Sequence, residues 1–369
     1  MKSLNPVLHV ALIILLCLPA ACVQNSAAVS GRAGGTGVEA NKINIEYKVK
    51  EDALLKAPGA QAKPLELVRR IESELGGKDK FVFPASLSVS EDRRVYIADN
   101  NAHVIRYCSP DSDQVATLPI QDGQGKLAWP NWVASWKDSI IVTDNDGIKV
   151  FDSRGAFRRL LRVFYQINHL TVRADGTIFI NPVFSKQKAD NPLIVELDGT
   201  GKRVKGFGEW LNSPDGLGLA NQVYLCASGE YVFAAFKHSP LVQIYNTRGE
   251  LVRWFNVNHP AFADLAPLAQ DKKFIHPEPN KYRLPNYLSG ARLIGDRLFL
   301  LLDLPQPEVV EFDFQGQELS RYRANISPLA RTYKDFDVQR AGDTYRFWML
   351  VGDGEKFISL VEFSHSSED

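Results

Sequence analysis

The feature that most constrains the fold of this chain is repetition. An apolar run, a short polar turn, a second apolar run and a turn carrying Gly or Asp recur along it. Val95–Asp99 is followed by Val104–Cys108, Ile140–Asp144 by Ile148–Asp152, and Thr177–Ile180 by Leu193–Asp198. Tyr231–Ala235 is followed by Leu241–Tyr245, Leu298–Leu302 by Val309–Asp313, and Tyr345–Leu350 by Phe357–Val361. The six copies lie about 40 to 65 residues apart. The first run of each pair reads as a full strand, and the second alternates as a half-buried strand does. A weaker run precedes each pair: Leu87–Val89, Trp132–Ala134, Leu170–Val172, Val223–Leu225, Ala291–Leu293 and Phe336–Val338. Another follows the first five, at Val115–Leu118, Arg158–Phe164, Arg203–Phe207, Leu251–Val257 and Leu319–Tyr322. Four strands per unit at this period is the signature of a propeller. No long capped amphipathic helix separates the units, which argues against an α/β arrangement. The expectation is an all-β, six-bladed β-propeller.

The phrase Val95-Tyr-Ile-Ala-Asp-Asn-Asn-Ala-His-Val-Ile-Arg-Tyr107 resembles the core of the NHL repeat: strand, Asp, polar turn, His, then a strand carrying Arg. Pro84, before the innermost strand, fits as well. The resemblance covers residues 65–363 and implies a six-bladed propeller. The first unit matches in its letters and the later ones in shape.

The last unit ends at Phe363 without a fourth strand, and an open ring exposes an edge that pairs with other chains. Leu65–Ile71 resembles the fourth strand Glu250–Phe255 and is expected to close the ring, with a helix over 65–75 as the competing reading. Ile43–Val49 alternates and would add to the closure. Cys108 and Cys226 fall on units that face each other across a six-membered ring. A disulfide needs Cα atoms within about 7 Å, so two free, buried thiols are expected.

Residues 1–21 read as a signal peptide: Lys2, an apolar run from Val7 to Leu18, then Ala20-Ala21. Cys22 directly after them resembles a bacterial lipoprotein box, whose cysteine carries the lipid; Pro19 departs from that pattern. Residues 22–42 are rich in Ser, Ala and Gly and cannot bury enough surface to fold, which suits a flexible tether. The propeller is assigned to 43–369. These segments imply an exported protein of a bacterial cell envelope, lipid-anchored or periplasmic, touching membrane only through Cys22. With Lys plus Arg equal to Asp plus Glu at 43 each, nucleic acid is excluded as a partner, since phosphate binding needs an excess of basic charge.

Strand alternation sorts the connections. The links between blades and the loops from second to third strand share one face. Two long segments enter that face, 182–192 with Lys186 and Lys188, and 258–287 with His276 and Tyr282. Connections this long in a compact domain are usually functional or disordered. Polar residues where inner strands begin also belong there: Asn131, Asn168, His169, Asn221, Asn286 and Asp335. The candidate ligand-binding set is therefore those six with His276 and Tyr282. Propeller lactonases, which place Asn, Asp and Glu at the channel, resemble this ring and would imply calcium. Calcium takes 6–8 oxygen ligands, several of them charged, and a ring dominated by Asn supplies little charge. Asn at these positions also simply suits turns. His103, His169 and His238 map to the same face, and a zinc site would require them to converge. Asp99, Asn100, Asp144, Asn145 and Asp146 read as turn caps. Trp132 and Trp136 point to one side of a strand, either as core or as a stacking platform. The function expected is an exported binding module for a protein, small-molecule or saccharide ligand, with no resident cofactor required. The competing reading is a metal-dependent hydrolase or lyase at the central channel.

Overall fold

Alternating apolar and polar residues make strands of almost every segment named above. Strand β1 spans Lys63–Glu74. Strands β2 to β5 span Pro84–Val89, Val95–Asp99, Val104–Cys108 and Val115–Thr117, and β6 to β9 span Trp132–Trp136, Ser139–Asp144, Gly147–Asp152 and Phe157–Leu161. Strands β10 to β13 span Ile167–Val172, Ile178–Pro182, Ile194–Leu197 and Arg203–Phe207, and β14 to β17 span Val223–Ser228, Tyr231–Phe236, Leu241–Asn246 and Leu251–Asn256. Strands β18 to β21 span Leu288–Ile294, Arg297–Leu302, Glu308–Phe312 and Glu318–Ala324, and β22 to β24 span Thr332–Ala341, Thr344–Gly352 and Phe357–His365. Helical structure among the described residues is confined to short 3₁₀ turns at Gly218–Asn221 and Pro260–Asp264. The computed structural model describes residues 62–74, 81–121, 123–184, 191–211, 218–268, 284–324, 332–352 and 357–365. These belong to one unit, Lys50–Asp369. The signal and tether segments, Cys22, Ile43–Val49, Lys186, Lys188, His276 and Tyr282 lie outside the described residues.

Strands β2–β5, β6–β9, β10–β13 and β14–β17 each form a four-stranded sheet, and the remaining strands form one of eight, in the order β18-β19-β20-β21-β1-β24-β23-β22. Within it β1 runs antiparallel to β24 from Glu66 opposite Ser364 to Glu74 opposite Phe357. It also pairs parallel with β21 over Lys63, Pro64 and Leu65. Residues 65–71 are thus strand, not helix, with Leu65 and Ile71 buried. The first strand of each unit packs on the first strand of the next: β2 on β6, β6 on β10, β10 on β14, β14 on β18, β18 on β22, and β22 back on β2. The fold is all-β and propeller-like.

The two halves of the eight-stranded sheet meet through apolar side chains. Phe299 and Phe347, both fully buried, pack with Tyr322 and Tyr345 at ring separations of 4.9 to 6.3 Å. Each buried ring of this size contributes about 1.5–3 kcal/mol.

One hairpin recurs in four of the units. Between the third and fourth strands, Asp152, Asp198, Asn246 and Asp313 each accept two backbone N–H bonds through Oδ1, from the residues two and four positions on. The glycine three residues after each has φ between 81° and 90°, at Gly155, Gly201, Gly249 and Gly316. That conformation strains any residue with a Cβ. Space forbids one too: a Cβ on Gly201 would lie 2.7 Å from Leu161, and one on Gly249 2.7 Å from Phe207. Each glycine therefore lets its hairpin rest on the outer strand of the preceding sheet. Cys108 on β4 and Cys226 on β14 are buried free thiols.

Candidate functional site

The inner strands carry the chemistry because bulges re-aim their side chains. Register shifts fall between Pro84 and Ser86, Ile167 and His169, Leu288 and Gly290, and Tyr333 and Asp335. The residue after the shift then reaches the next sheet. Ser86 Oγ accepts the Val133 N–H at 2.9 Å, and His169 Nδ1 accepts the Leu225 N–H at 3.1 Å. Asp335 Oδ2 accepts the Leu87 N–H at 2.9 Å, and Asp337 Oδ2 accepts the Val89 N–H at 2.7 Å. The last two bonds join β22 to β2, the junction of the final unit with the first.

Arg292, from β18, completes that junction. Its Nη2 donates to both carboxylate oxygens of Asp335, at 3.0 and 2.9 Å, and to the Leu87 carbonyl at 3.0 Å. Its Nε lies 3.3 Å from Asp337 Oδ1. The guanidinium sits 5.7 Å from the Trp132 ring centre and 5.6 Å from that of Phe336. Two buried carboxylates share this one guanidinium. Burial outweighs its attraction, pushing Asp335 up to about 6 and Asp337 above the usual range. His169 is held well below its ordinary value, first by burial and then by the Arg292 charge, so it is neutral. Because its Nδ1 accepts a hydrogen bond, the proton sits on Nε2, and Nε2 has no hydrogen-bond partner among the described residues. The His169 ring lies against Trp132 at 3.9 Å and edge-on to Tyr224 at 5.5 Å.

A cavity of about 200 Å³ lies among the inner strands, lined by Ser88, Ser135, Thr171, Cys226, Arg292 and Asp337 among others. A second, of about 280 Å³, lies toward the end where the inner strands finish, beside Glu91, Trp136, Lys137 and Gln339. Burial raises the Cys226 thiol to about 12, so it stays protonated.

The opposite mouth is where the inner strands begin. There Asp99 accepts the N–H groups of Val82 and Phe83 at 2.9 and 2.7 Å, and Arg106 Nε lies 3.5 Å from its carboxylate. Asp144 does the same for Ala128 and Trp129, with Lys149 Nζ at 2.7 Å. These acids hold the connectors that enter β2 and β6.

The sequence-derived residues separate into groups. His169 and Asp335 come together around Arg292. Asn168 donates to Asn181 Oδ1 at 3.0 Å and to the Val223 carbonyl at 3.2 Å. Asn221 bonds both the N–H and the carbonyl of Leu211, at 2.7 and 3.1 Å. Asn286 bonds the Asp303 carboxylate. Asn131 is exposed, its N–H donated to the Thr143 carbonyl at 3.1 Å. His276 and Tyr282 lie outside the described residues. The histidines have separate partners. His238 bonds Pro285 and Gln222, and burial draws it down to about 4. His103 stands 5.9 Å from Trp129. No three of His, Cys, Asp and Glu gather as metal ligands among the described residues. Trp132 is core, and Trp136 packs beside it with Lys137 Nζ 4.6 Å above its ring. Sequence reasoning passed over Arg292, Asp337, Lys237, Asp303 and Lys334. For the first two the signal was present: each is a lone charge between apolar neighbours in an inner strand.

No protein-family model and no curated protein matches the chain. Solved structures do. A member of the DUF4221 family from Bacteroides vulgatus aligns with a TM-score of 0.52 at 11% identity, over 82% of this chain and 98% of its own. A protein assigned as exported from Bacteroides fragilis aligns at 0.50 and 12% identity, over 84% of this chain and 100% of its own. The WD40 β-propeller domain of Doa1 aligns at 0.47 and 11% identity, over 77% of this chain and 79% of its own. At these identities the likeness is one of fold alone.

Proposed function

We propose that this chain is an exported six-bladed propeller that works as a binding module, recognising its ligand on the face where the inner strands begin. The cyclic packing of six inner strands supports the blade count. On this reading the eight-stranded sheet is two blades joined by the short parallel pairing of β1 with β21, and β1 is the strand that closes the ring. Export, with a lipid on Cys22 and an NHL-like ancestry, belongs to the same reading. No helix among the described residues is long and apolar enough to cross a membrane.

One observation carries the choice of face. Exposed large apolar residues occur in two places only among the described residues. Leu67, Val68, Val204, Val252 and Trp254 lie on outer strands. Val82, Phe83, Trp129 and Phe164 precede β2, β6 and β10, at the same mouth, with Phe164 98% exposed. Apolar residues gathered at one face mark interaction sites, and the segments 182–192 and 258–287 enter there. A metal-dependent hydrolase or lyase draws less support, and so does calcium. Asp335 and Asp337 already serve Arg292 and two backbone N–H groups, and Asn168 and Asn221 serve the backbone.

Photo-crosslinking in the source cell tests the reading. A reactive residue at 129 or 164 is expected to yield a discrete adduct that one at 204 or 252 does not. Equal adducts from both sets, or none from the first, would sink it.

A further inference from the structure

Two oppositely charged residues directly follow the second strands of neighbouring units at this mouth, Lys237 after β15 and Asp303 after β19. The Lys237 backbone carbonyl accepts the N–H groups of Tyr287 and Leu288 at 2.8 and 3.3 Å, while the Asp303 N–H bonds the Tyr287 carbonyl at 3.0 Å. Lys237 and Asp303 therefore flank one connector. Lys334, at the start of the sixth blade's inner strand, reaches the same mouth, its Nζ 5.0 Å from the Phe83 ring centre.

Both lysines are half-buried, and neither forms an ion pair among the described residues. Asp303 is the carboxylate within electrostatic reach of both, and it is bonded by Asn286 and Ser289. Two ammonium groups thus face a single carboxylate where water is partly excluded. Burial holds both lysines below the usual range, and the Lys334 charge adds to this at Lys237. A desolvated charge without a partner is costly, and here the fold keeps two beside one acid.

We propose that Lys237 and Lys334 form an oxyanion site at the channel mouth, taking a carboxylate or phosphate group of the ligand with Phe83 as its apolar wall. The proposal rests on the reading of this face as the recognition face, and it names the chemistry recognised. Melting of the mature chain in inorganic phosphate, in citrate, and in chloride of equal ionic strength tests it. A probe at ten times its dissociation constant should raise Tm by about 2 °C. Phosphate alone, citrate alone, or both raising Tm would each support the site and identify which oxyanion it takes. Lys237→Met and Lys334→Met keep the side-chain stem and remove the charge. Each should abolish the rise while leaving Tm in chloride unchanged or higher; Lys202→Met, on an outer hairpin, should retain it. The site is overturned by equal Tm in all three salts, by a rise that survives both mouth substitutions, or by both lowering Tm in chloride, which would make the lysines structural. Crosslinks at 129 and 164 without an oxyanion response would remove this site alone. An oxyanion response without crosslinks would leave the site and remove the apolar recognition surface.

Discussion

At the scale of the residue, the densest chemistry is the junction of Arg292 with Asp335 and Asp337. Arg292→Met leaves two buried carboxylates without a counter-charge, and removing one partner of a buried pair costs about 3–5 kcal/mol. Urea unfolding at pH 7 should show that loss. Asp335 titrates at about 6 when folded against 3.8 for the free side chain. The folded state therefore binds its proton more tightly. The stability this carboxyl adds is complete below pH 3.8 and is lost as pH rises through about 6. The whole effect is at most ~3 kcal/mol. Relative to Asp335→Asn, the natural chain should lose stability between pH 4 and 7; parallel pH profiles would contradict the assignment. His169 and Asp335 were legible as polar residues near the starts of inner strands. Their convergence was not, because it depends on bulges that shift each side chain by one place, and a strand pattern of period two cannot show a shift. Lys237 was hidden for another reason: a lysine after an apolar run reads as an ordinary turn residue until the fold sets it on the connector it shares with Asp303.

At the scale of the element, β1 bears most of the closure. It covers the outer edge of β24, which would otherwise present unpaired N–H and C=O groups to other chains. A chain beginning after residue 76 should associate at concentrations where the full chain is monomeric, as size-exclusion chromatography would show. A peptide of residues 60–76 added in trans should reverse the association. A truncated chain that stays monomeric and melts as before would deny β1 this role. The alternation in Leu65–Ile71 left helix and strand both open, since its burial at Leu65 and Ile71 is decided by β24 and β21, far along the chain. The four Asx–glycine hairpins lie at the other extreme. Their letters are local, and their geometry follows from them, down to the glycine that only a missing Cβ permits.

At the scale of the whole molecule, the proposal of export rests on the N-terminal sequence. If Cys22 carries lipid, mass spectrometry of the mature protein should find Cys22 as the first residue with an acylated mass, and Cys22→Ser should release the protein from the membrane fraction. An unmodified N-terminus at another residue would remove the anchor from the reading. A chain with 43 basic and 43 acidic residues has no net charge to draw it to nucleic acid, and the recognition proposed above rests instead on local patches, the mouth lysines and the aromatic connectors.

The sequence by itself determined most of the strands, the grouping of β2–β17 in fours and the hairpin turns. Each follows from short-range rules: alternation sets which side is buried, and Gly and Asx set the turns. The tertiary structure alone decided what meets at the axis. Arg292, Asp335 and His169 lie on β18, β22 and β10, far apart in the chain. Only the packing of β18 and β2 against β22 sets Arg292, Asp335 and Asp337 within hydrogen-bond reach. The mouth lysines are likewise separated by 97 positions in the chain, and only the order of the blades makes them neighbours.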